Sequence, residues 1–542
     1  MSNSTQSCPA AVTSLYRQLP YQADPLAVYE QICAPNQPSL LLESSTIATR
    51  ENLQSILLVH AALEFRCDDQ RVTITALTAN GQSLLPWLAT QLHTLPCDLI
   101  SHSNKQIVCE FTPPRNSLDE DSRLRAVSNI EPLRKILQGL EVIADRPHPM
   151  AVFMGGVFAY DYLATFEELP PVNMGENQCP DYLFYLAETL LIINHQQHTM
   201  ELLGSLFHGS NQHQYAEHLE RQLEHIAHRC QPSHHDKTTR APLSTMPTQP
   251  IAVTPSATTY AQQVEQLQQH IRAGDIFQAV LARQFNLPCH SALESYRELK
   301  RSNPSPYLFF LRSSAFELFG ASPESALKYT AATNQVELYP IAGTRPRGCN
   351  ADGQVNADLD SRIELELRLD LKETAEHVML VDLARNDLAR IAQPGTRHVV
   401  SLMQVDRYAH VMHLVSRVVA QLAPDLDALH AYRACMNMGT LMGAPKLSAA
   451  RLIRQFEQQR RGSYGGALGY LTGAGDMDTC IVIRSAFVRH GHAIVQAGAG
   501  VVYASQPEAE VAETEHKAKA VINAIQHANQ RLQEHAHALS HA

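Results

Sequence analysis

The order in which strand and helix patterns follow one another constrains this chain most. Up to about residue 230 the patterns are chiefly strands. A short apolar run, Ser39–Leu42, ends in Glu43-Ser44. Leu63–Ala76 holds two apolar segments around the polar turn Cys67-Asp68-Asp69-Gln70, and Leu183–Phe207 repeats that hairpin pattern around His195-Gln196-Gln197-His198. Residues 231–259 are rich in Pro, Ser, Thr and His, lack periodicity, and read as a linker or surface excursion. Beyond it, helices are expected at Tyr260–Ala273, Lys372–Arg390, Asp425–Asn437, Lys446–Gln459 and Glu508–Ala528, with strands such as Cys480–Val488 and Ala493–Val502 between them. These elements do not alternate as βαβα, so a doubly wound parallel sheet is disfavoured and an antiparallel α+β fold is expected. The expected division is an N-terminal region at 1–230, the excursion at 231–259, a second region at 260–530 and a tail at 531–542.

Composition excludes several classes. The chain has 542 residues, 44% of them hydrophobic and 18% charged, ample for a core and unlike a disordered chain. Its formal net charge of −11 makes phosphate-backbone binding a poor candidate for its main activity, so no nucleic-acid partner is expected. The longest uncharged apolar stretches, such as Val152–Tyr160, fall far short of the roughly 18 residues a membrane span needs. The start, MSNSTQSCPAA, does not resemble a secretory signal, and the 11 scattered cysteines form no CxxC pair. Together these suggest a cytoplasmic protein without a membrane. Cys230 lies among His225, His228, His234 and His235, but with no second cysteine nearby a solvated His cluster is the better reading.

Three constellations could carry chemistry. Glu373 and Glu376 on one expected helix, and Glu510, Glu513 and Lys517 on the last, each fall on one helical face. Two facing ExxE pairs could hold a hard divalent cation such as Mg2+, although from spacing alone solvated acidic faces are favoured. Glycines recur at Ile341-Ala342-Gly343-Thr344-Arg345-Pro346-Arg347-Gly348, a tight basic loop after the expected strand Val336–Pro340. They recur again at Gly462-Ser463-Tyr464-Gly465-Gly466 and in the strand Val495–Val502, where Gly498 and Gly500 would expose backbone to a ligand. None matches a nucleotide fingerprint, and sharp turns explain each one alone. Finally, Arg484 stands within the apolar strand CIVIRSAFV and needs an anion, whereas His413 in HVMHLVSRV reads alone as a satisfied core or surface histidine. Glu324 after Ser322-Pro323, and Gln278 after Gly274-Asp275, read alone as plain turn or surface side chains.

These segments resemble the chorismate-utilising enzymes, and among them the large subunit of anthranilate synthase. The blocks are LLLES at 40–44, AGDIFQAVLARQF at 273–285, NPSPYLFF at 303–310, GASPES at 320–325 and YPIAGTRPRG at 339–348. They continue in the same order with LKETAEHVMLVDLARNDLARI at 371–391, VDRYAHVMHLVSRV at 405–418, GAPKLSA at 443–449, RGSYGGALGY at 461–470, DTCIVIRSA at 478–486 and VQAGAGVVYASQPEAEVAETEHKA at 495–518. The resemblance implies two stacked antiparallel sheets flanked by helices. It implies conversion of chorismate and ammonia to anthranilate and pyruvate with Mg2+ as cofactor. Glu376 and Glu513 would be metal ligands, with Glu373 and Glu510 acting through water. Tyr464, Arg484 and Lys517 would grip substrate carboxylates, with Gly343, Thr344, Gly498, Ala499 and Gly500 lining the same site. Glu324 would be the general acid and His413 the base or proton shuttle. The LLLES block resembles a feedback site for L-tryptophan, formed by Glu43, Ser44, Pro306, Tyr307 and Leu308.

Two positions carry subfamily logic. Related aminodeoxychorismate synthases tend to place a nucleophilic Lys where Ala342 stands, and isochorismate synthases a base-forming Lys where Gln278 stands. Alanine cannot attack, and neutral Gln suits ammonia as nucleophile. No cysteine lies on a GxCxG turn, so ammonia would come from solution or from a separate glutamine amidotransferase small subunit, in an assembly of two large and two small chains. Met442 departs from the family's small hydroxyl residue, which leaves open whether it touches substrate or fills the core. Another chorismate enzyme, or an inactive tryptophan-binding relative, are the alternatives.

Overall fold

The computed structural model describes residues 10–45, 52–113, 118–144, 147–207, 212–231, 251–350, 354–407 and 411–540. Most of the expected excursion, residues 232–250, lies outside the described residues. Its last part is ordered: Ala252–Thr254 is a strand paired with Gln278–Pro288. The next helix begins at Ala257, ahead of the expected Tyr260, because the Ser256 hydroxyl caps it by accepting from the Thr259 N–H. It stops at Gly274, as expected. The helix expected over 508–528 runs on from Pro507 to Ser540, through the expected tail.

The fold is α+β, as the element order implied. The described strands join into one network of 24, whose only parallel pairing links Ala10–Leu19 to Leu140–Val142. Two layers are recognisable within it. One runs through Ser39–Ser45, Tyr307–Arg312, Glu317–Ser322, Ser485–Arg489, His492–Val501 and Gln278–Pro288. The other runs through Phe153–Phe158, Ala467–Thr472, Met477–Ile481, Ser325–Thr330, Gln335–Leu338 and Val411–Gln421. The long paired strands Asn52–Asp68 and Tyr182–Asn194 join the two, and register shifts near His60 bend them. The apolar cluster between the layers takes Leu40, Phe309, Leu318 and Phe487 from the first, Val157, Leu468 and Cys480 from the second, and Leu183 from the joining strand Tyr182–Asn194. The regions expected at 1–230 and 260–530 thus interleave at the level of single strands. No described helix is long and apolar enough to cross a membrane.

Two chain segments cross from one layer to the other, and each carries a predicted site residue at its corner. Glu324 lies between Glu317–Ser322 and Ser325–Thr330; Arg484 lies between Met477–Ile481 and Ser485–Arg489. Strands that change layers need such corners. The two corners are tied together: the Ala321 N–H donates to the Arg484 carbonyl at 3.1 Å, and the Ile481 N–H to the Glu324 carbonyl at 3.0 Å.

A buried ion pair fixes the strand that begins at Gln278. Arg461, 2% exposed, donates to Glu457 Oε2 at 2.8 Å and to the Leu441 carbonyl at 2.9 Å, and also reaches the Val280 carbonyl. Glu457 Oε1 accepts the Ala282 N–H at 2.9 Å. Removing one partner strands the other charge in the interior. Arg461→Met is therefore expected to lower the unfolding free energy by about 3–5 kcal/mol in urea titration; an unchanged midpoint would refute this role.

Candidate active site

Four structural features converge at one end of the layers. The strand Gln278–Pro288 pairs with His492–Val501, setting Val280 opposite Gly500 and Ala282 opposite Gly498. A Cβ on Gly500 would lie 2.4 Å from Gln278 Nε2, so only glycine leaves room for that side chain. Gln278 Nε2 donates to Glu376 Oε1 at 3.0 Å, while its carbonyl oxygen is buried without a hydrogen-bond partner. That oxygen is a free acceptor on the amide whose nitrogen is held by the acidic helix.

Glu376 and Glu373 project from the helix Leu371–Ala389, which Asp370 caps. Burial, then the neighbouring Glu373 carboxylate, raise the Glu376 pKa; burial, then Glu513, raise that of Glu510. Lys517, on the last helix, acts electrostatically on Glu376, and Lys372, on the first, acts on Glu510. The two acidic pairs therefore face a common space. Among the described residues no group of three or more ligand side chains is already gathered. Paired carboxylates that repel one another suit a divalent cation completed by water and substrate oxygens. Glu373 differs from its partner in already being held by Arg345, at 2.9 Å, which also binds Asp370 at 2.7 Å.

The segment Ile341–Pro346, expected as a loop, is a strand paired with Val411–Gln421, with an irregularity between Ala342 and Thr344. Gly343 occupies that irregularity at φ +76°, a conformation that favours glycine, and a Cβ there would come within 3.2 Å of Glu373 Oε2. Thr344 lies opposite His413, their side chains 2.9 Å apart at Oγ1 and Nδ1. Burial, then the Arg484 cation, hold the His413 pKa down at about 4 against the Gly343 backbone, with Lys517 adding to the depression. His413 is therefore a neutral imidazole at pH 7.

Arg484 is not mid-strand, as expected, but at the corner with φ +50°, a left-handed backbone costing about 1–3 kcal/mol for a residue with a side chain. Its guanidinium donates to the Lys517 carbonyl at 3.0 Å. Lys517 in turn binds Glu513 at 2.6 Å and the Gly498 carbonyl at 2.9 Å. Tyr464, buried beside Gly498, has its hydroxyl pKa raised to about 12 by burial, so it remains a donor. Ala499 lies between the two glycines, opposite Leu281 and fully buried. Glu324 is also buried, and desolvation raises its pKa to about 8 against the opposing effects of Thr440 and Lys517. At pH 7 it carries its proton.

Sequence reasoning missed several supports. Arg345 holds Glu373, Thr440 stands beside Glu324, and Lys446 ties the loop before it to Asp387 at 2.6 Å. The partner of each is distant in sequence, so no local pattern shows the contact. Met442 is fully buried among Ala279, Leu281 and Leu441, so it fills the core.

The expected inhibitor residues cluster separately. Glu43 and Ser44 belong to the strand Ser39–Ser45 rather than to its end, with Ser44 opposite Tyr307 and Glu43 opposite Leu308. A cavity of about 60 Å³ is lined by these four residues together with Gln54, Tyr470 and Asp478. Pro306 is not in its wall; its carbonyl accepts the Ser45 N–H at 3.0 Å. Strand alternation turns the Glu43 carboxylate away from the interlayer side, to Tyr296 and Lys300, each at 2.6 Å. Asp478, which no local pattern marks, has its pKa raised by burial to about 6, and its carboxylate accepts from Tyr307 at 3.3 Å.

Known proteins resemble this chain in sequence and in fold. A family profile described as chorismate binding enzyme matches residues 96–523. The chain is 52% identical to anthranilate synthase component 1 of Vibrio cholerae over 522 residues, which is 96% of this chain and 98% of that one. It is 50% identical to the Escherichia coli protein of the same name over 509 residues, 93% and 95% of the two chains. Among solved structures, anthranilate synthase component I from Streptococcus pneumoniae superposes with a TM-score of 0.66 at 26% identity, covering 92% of this chain and 97% of that one. The menaquinone-specific isochorismate synthase MenF from Escherichia coli gives 0.64 at 18% identity, covering 96% of each chain, a likeness of fold.

Proposed function

The chain belongs to the chorismate-binding enzymes, and from that premise we propose that it is an anthranilate synthase large subunit, converting chorismate and ammonia to anthranilate and pyruvate through aminodeoxyisochorismate. The observation that carries this reading is the opposite tuning of two groups in one buried cluster. Glu324 keeps its proton up to about pH 8, and His413 stays neutral down to about pH 4. Such divergence supports Glu324 as the acid and leaves His413 unprotonated and open to accept a proton.

Ammonia would approach ring carbon 2 with an N–H directed at the unpaired Gln278 carbonyl oxygen. Glu324 would give its proton to the departing carbon-4 hydroxyl, which leaves as water. His413 would then take the carbon-2 proton as the enolpyruvyl C–O bond breaks, which aromatises the ring and releases the pyruvate enolate, and a proton returned to the enolate's methylene carbon would complete pyruvate. Arg484, Lys517 and Tyr464 would hold substrate carboxylates while the Gly343–Thr344 and Gly498–Gly500 backbones shape the wall. Glu376 and Glu513 would hold Mg2+, with Glu373, already bound to Arg345, and Glu510 acting through water. Bound there, Mg2+ would offset the charge of the ring carboxylate. Ala342 and Gln278, which replace the nucleophilic or base-forming lysines of sister activities, support the product assignment.

L-tryptophan would be the feedback inhibitor of this first committed step of tryptophan biosynthesis, at the Ser44–Tyr307 cavity. Its about 60 Å³ holds only a few waters, so an indole must part the layers to enter. This supports inhibition by a shift between two states. A glutamine amidotransferase small subunit would supply ammonia in the cytoplasm, in an assembly of two large and two small chains.

The test is to mix the purified chain with chorismate, Mg2+ and ammonium salt and follow anthranilate fluorescence with and without tryptophan. Tryptophan-suppressed anthranilate formation is expected; chorismate loss without anthranilate would refute the product. In the same assay Glu513→Gln is expected to raise the Mg2+ concentration for half-maximal rate at least about tenfold. An unchanged Mg2+ titration would remove Glu513 from the metal site.

A further inference from the structure

The cavity and the catalytic face are joined by a transverse row of charges that neither role requires. Asp478 lines the cavity, and in the antiparallel register it lies directly opposite Lys328. Lys328 lies directly opposite Glu337 on the next strand. Directly opposed residues share a face of the sheet, so the three form one acid–base–acid line across adjacent strands. On the next strand again, Glu337 faces Val419, and Arg417, two residues along on the same face, donates to Glu337 Oε2 at 2.8 Å. Tyr339 also donates to that carboxylate, and its ring lies 6.0 Å from the Arg417 guanidinium.

Both ends of the row reach functional elements. Arg417 is four residues from His413 on the strand Val411–Gln421, and strand alternation puts the two on one face. Tyr339 is followed after one residue by Ile341–Pro346, which carries Gly343 and Thr344. At the other end Asp478 is bonded to Tyr307 of the opposite layer, at 3.3 Å. Parting the layers around a ligand pulls Tyr307 from Asp478 and leaves that buried carboxylate to Lys328 alone. Lys328 is set by the register between Asp478 and Glu337, and the charges of Lys328 and Glu337 both act on the Asp478 carboxyl. Lys328 is then drawn towards Asp478 and away from Glu337, the carboxylate that Arg417 and Tyr339 hold.

We propose that the Asp478–Lys328–Glu337–Arg417 row is the mechanical link by which occupancy of the interlayer cavity changes the positions of Thr344 and His413. It is built into the sheet and contacts neither the substrate nor the inhibitor except through Asp478. The proposal rests on the tryptophan reading of the cavity given above.

The experiment uses the full chain and two variants, Lys328→Met and Glu337→Gln, neither of which belongs to the catalytic or ligand-binding set. Tryptophan binding is measured by calorimetry. Chorismate KM is measured without and with saturating tryptophan, and the ratio of the two is the coupling between the sites. We expect both variants to bind tryptophan within about threefold of the parent while the KM ratio falls by about tenfold. An unchanged ratio in a folded variant that binds tryptophan overturns the row and leaves the cavity reading intact. A parent chain that binds no tryptophan overturns the cavity reading, and this proposal with it. Should one variant not fold, the other decides.

Discussion

Replacing Glu324 with Gln is expected to slow anthranilate formation by about 10²–10⁴-fold, the range a positioned general acid contributes. Gln matches the protonated carboxyl in size and fits the same buried corner, so the fold is retained. What is lost is the proton for the departing hydroxyl. The pH dependence gives a second handle. With its pKa raised to about 8, the parent holds the acid form at neutral pH and loses it as pH rises through 8. Its rate should fall on that alkaline limb, and the residual rate of Glu324→Gln should not. Stability follows the same sign. The contribution of a carboxyl whose pKa rises from 4.5 to about 8 on folding is full below 4.5 and lost as pH climbs through 8. The variant should therefore show a flatter pH dependence of unfolding over that window. Retention of the alkaline limb in Glu324→Gln would reassign the acid.

Arg484→Met is expected to reduce kcat/KM for chorismate by about 10²–10³-fold, chiefly through KM, because a buried guanidinium facing a ligand carboxylate is worth several kcal/mol. Burial pulls the Arg484 pKa down while Tyr464 and Glu513 oppose that, so an added carboxylate completes an environment short of negative charge. Arg484→Lys should recover only part of the loss, because an ammonium cannot reproduce the two-pronged geometry. A KM unchanged in Arg484→Met would move the substrate carboxylate elsewhere. The left-handed backbone at this position fits a residue retained for its side chain, since a glycine would adopt that turn without strain.

Most of the element order was legible because it rests on local signals. The hairpins around Asp68-Asp69 and Gln196-Gln197, the helix stop at Gly274 and the helix carrying Glu373 and Glu376 all follow from turn residues, caps and periodicity. The errors fall where tertiary contacts override the local pattern. CIVIRSAFV reads as one strand, yet the chain breaks at Arg484 because the two layers need a corner there. Ile341–Pro346 reads as a glycine loop, yet pairing with Val411–Gln421 makes it a strand with an irregularity at Gly343. Glu43 does line the cavity, but alternation, invisible in the motif, turns its carboxylate toward Tyr296 and Lys300.

The sequence by itself determined the fold class, through elements that do not alternate; it put the acidic pairs each on one helical face, and only the family resemblance gave them a role. It also carried the subfamily distinction, since Ala342 and Gln278 are read one residue at a time. The tertiary structure alone decided what each group can do. Protonation of Glu324, neutrality of His413 and the unpaired oxygen of Gln278 depend on burial and on Arg484, Lys517 and Glu376, distant along the chain. Tertiary packing also placed Met442 in the core and set Asp478, Lys328 and Glu337 in line. Identity and spacing are local properties of a chain; desolvation and the electric field at a side chain are sums over everything folded around it.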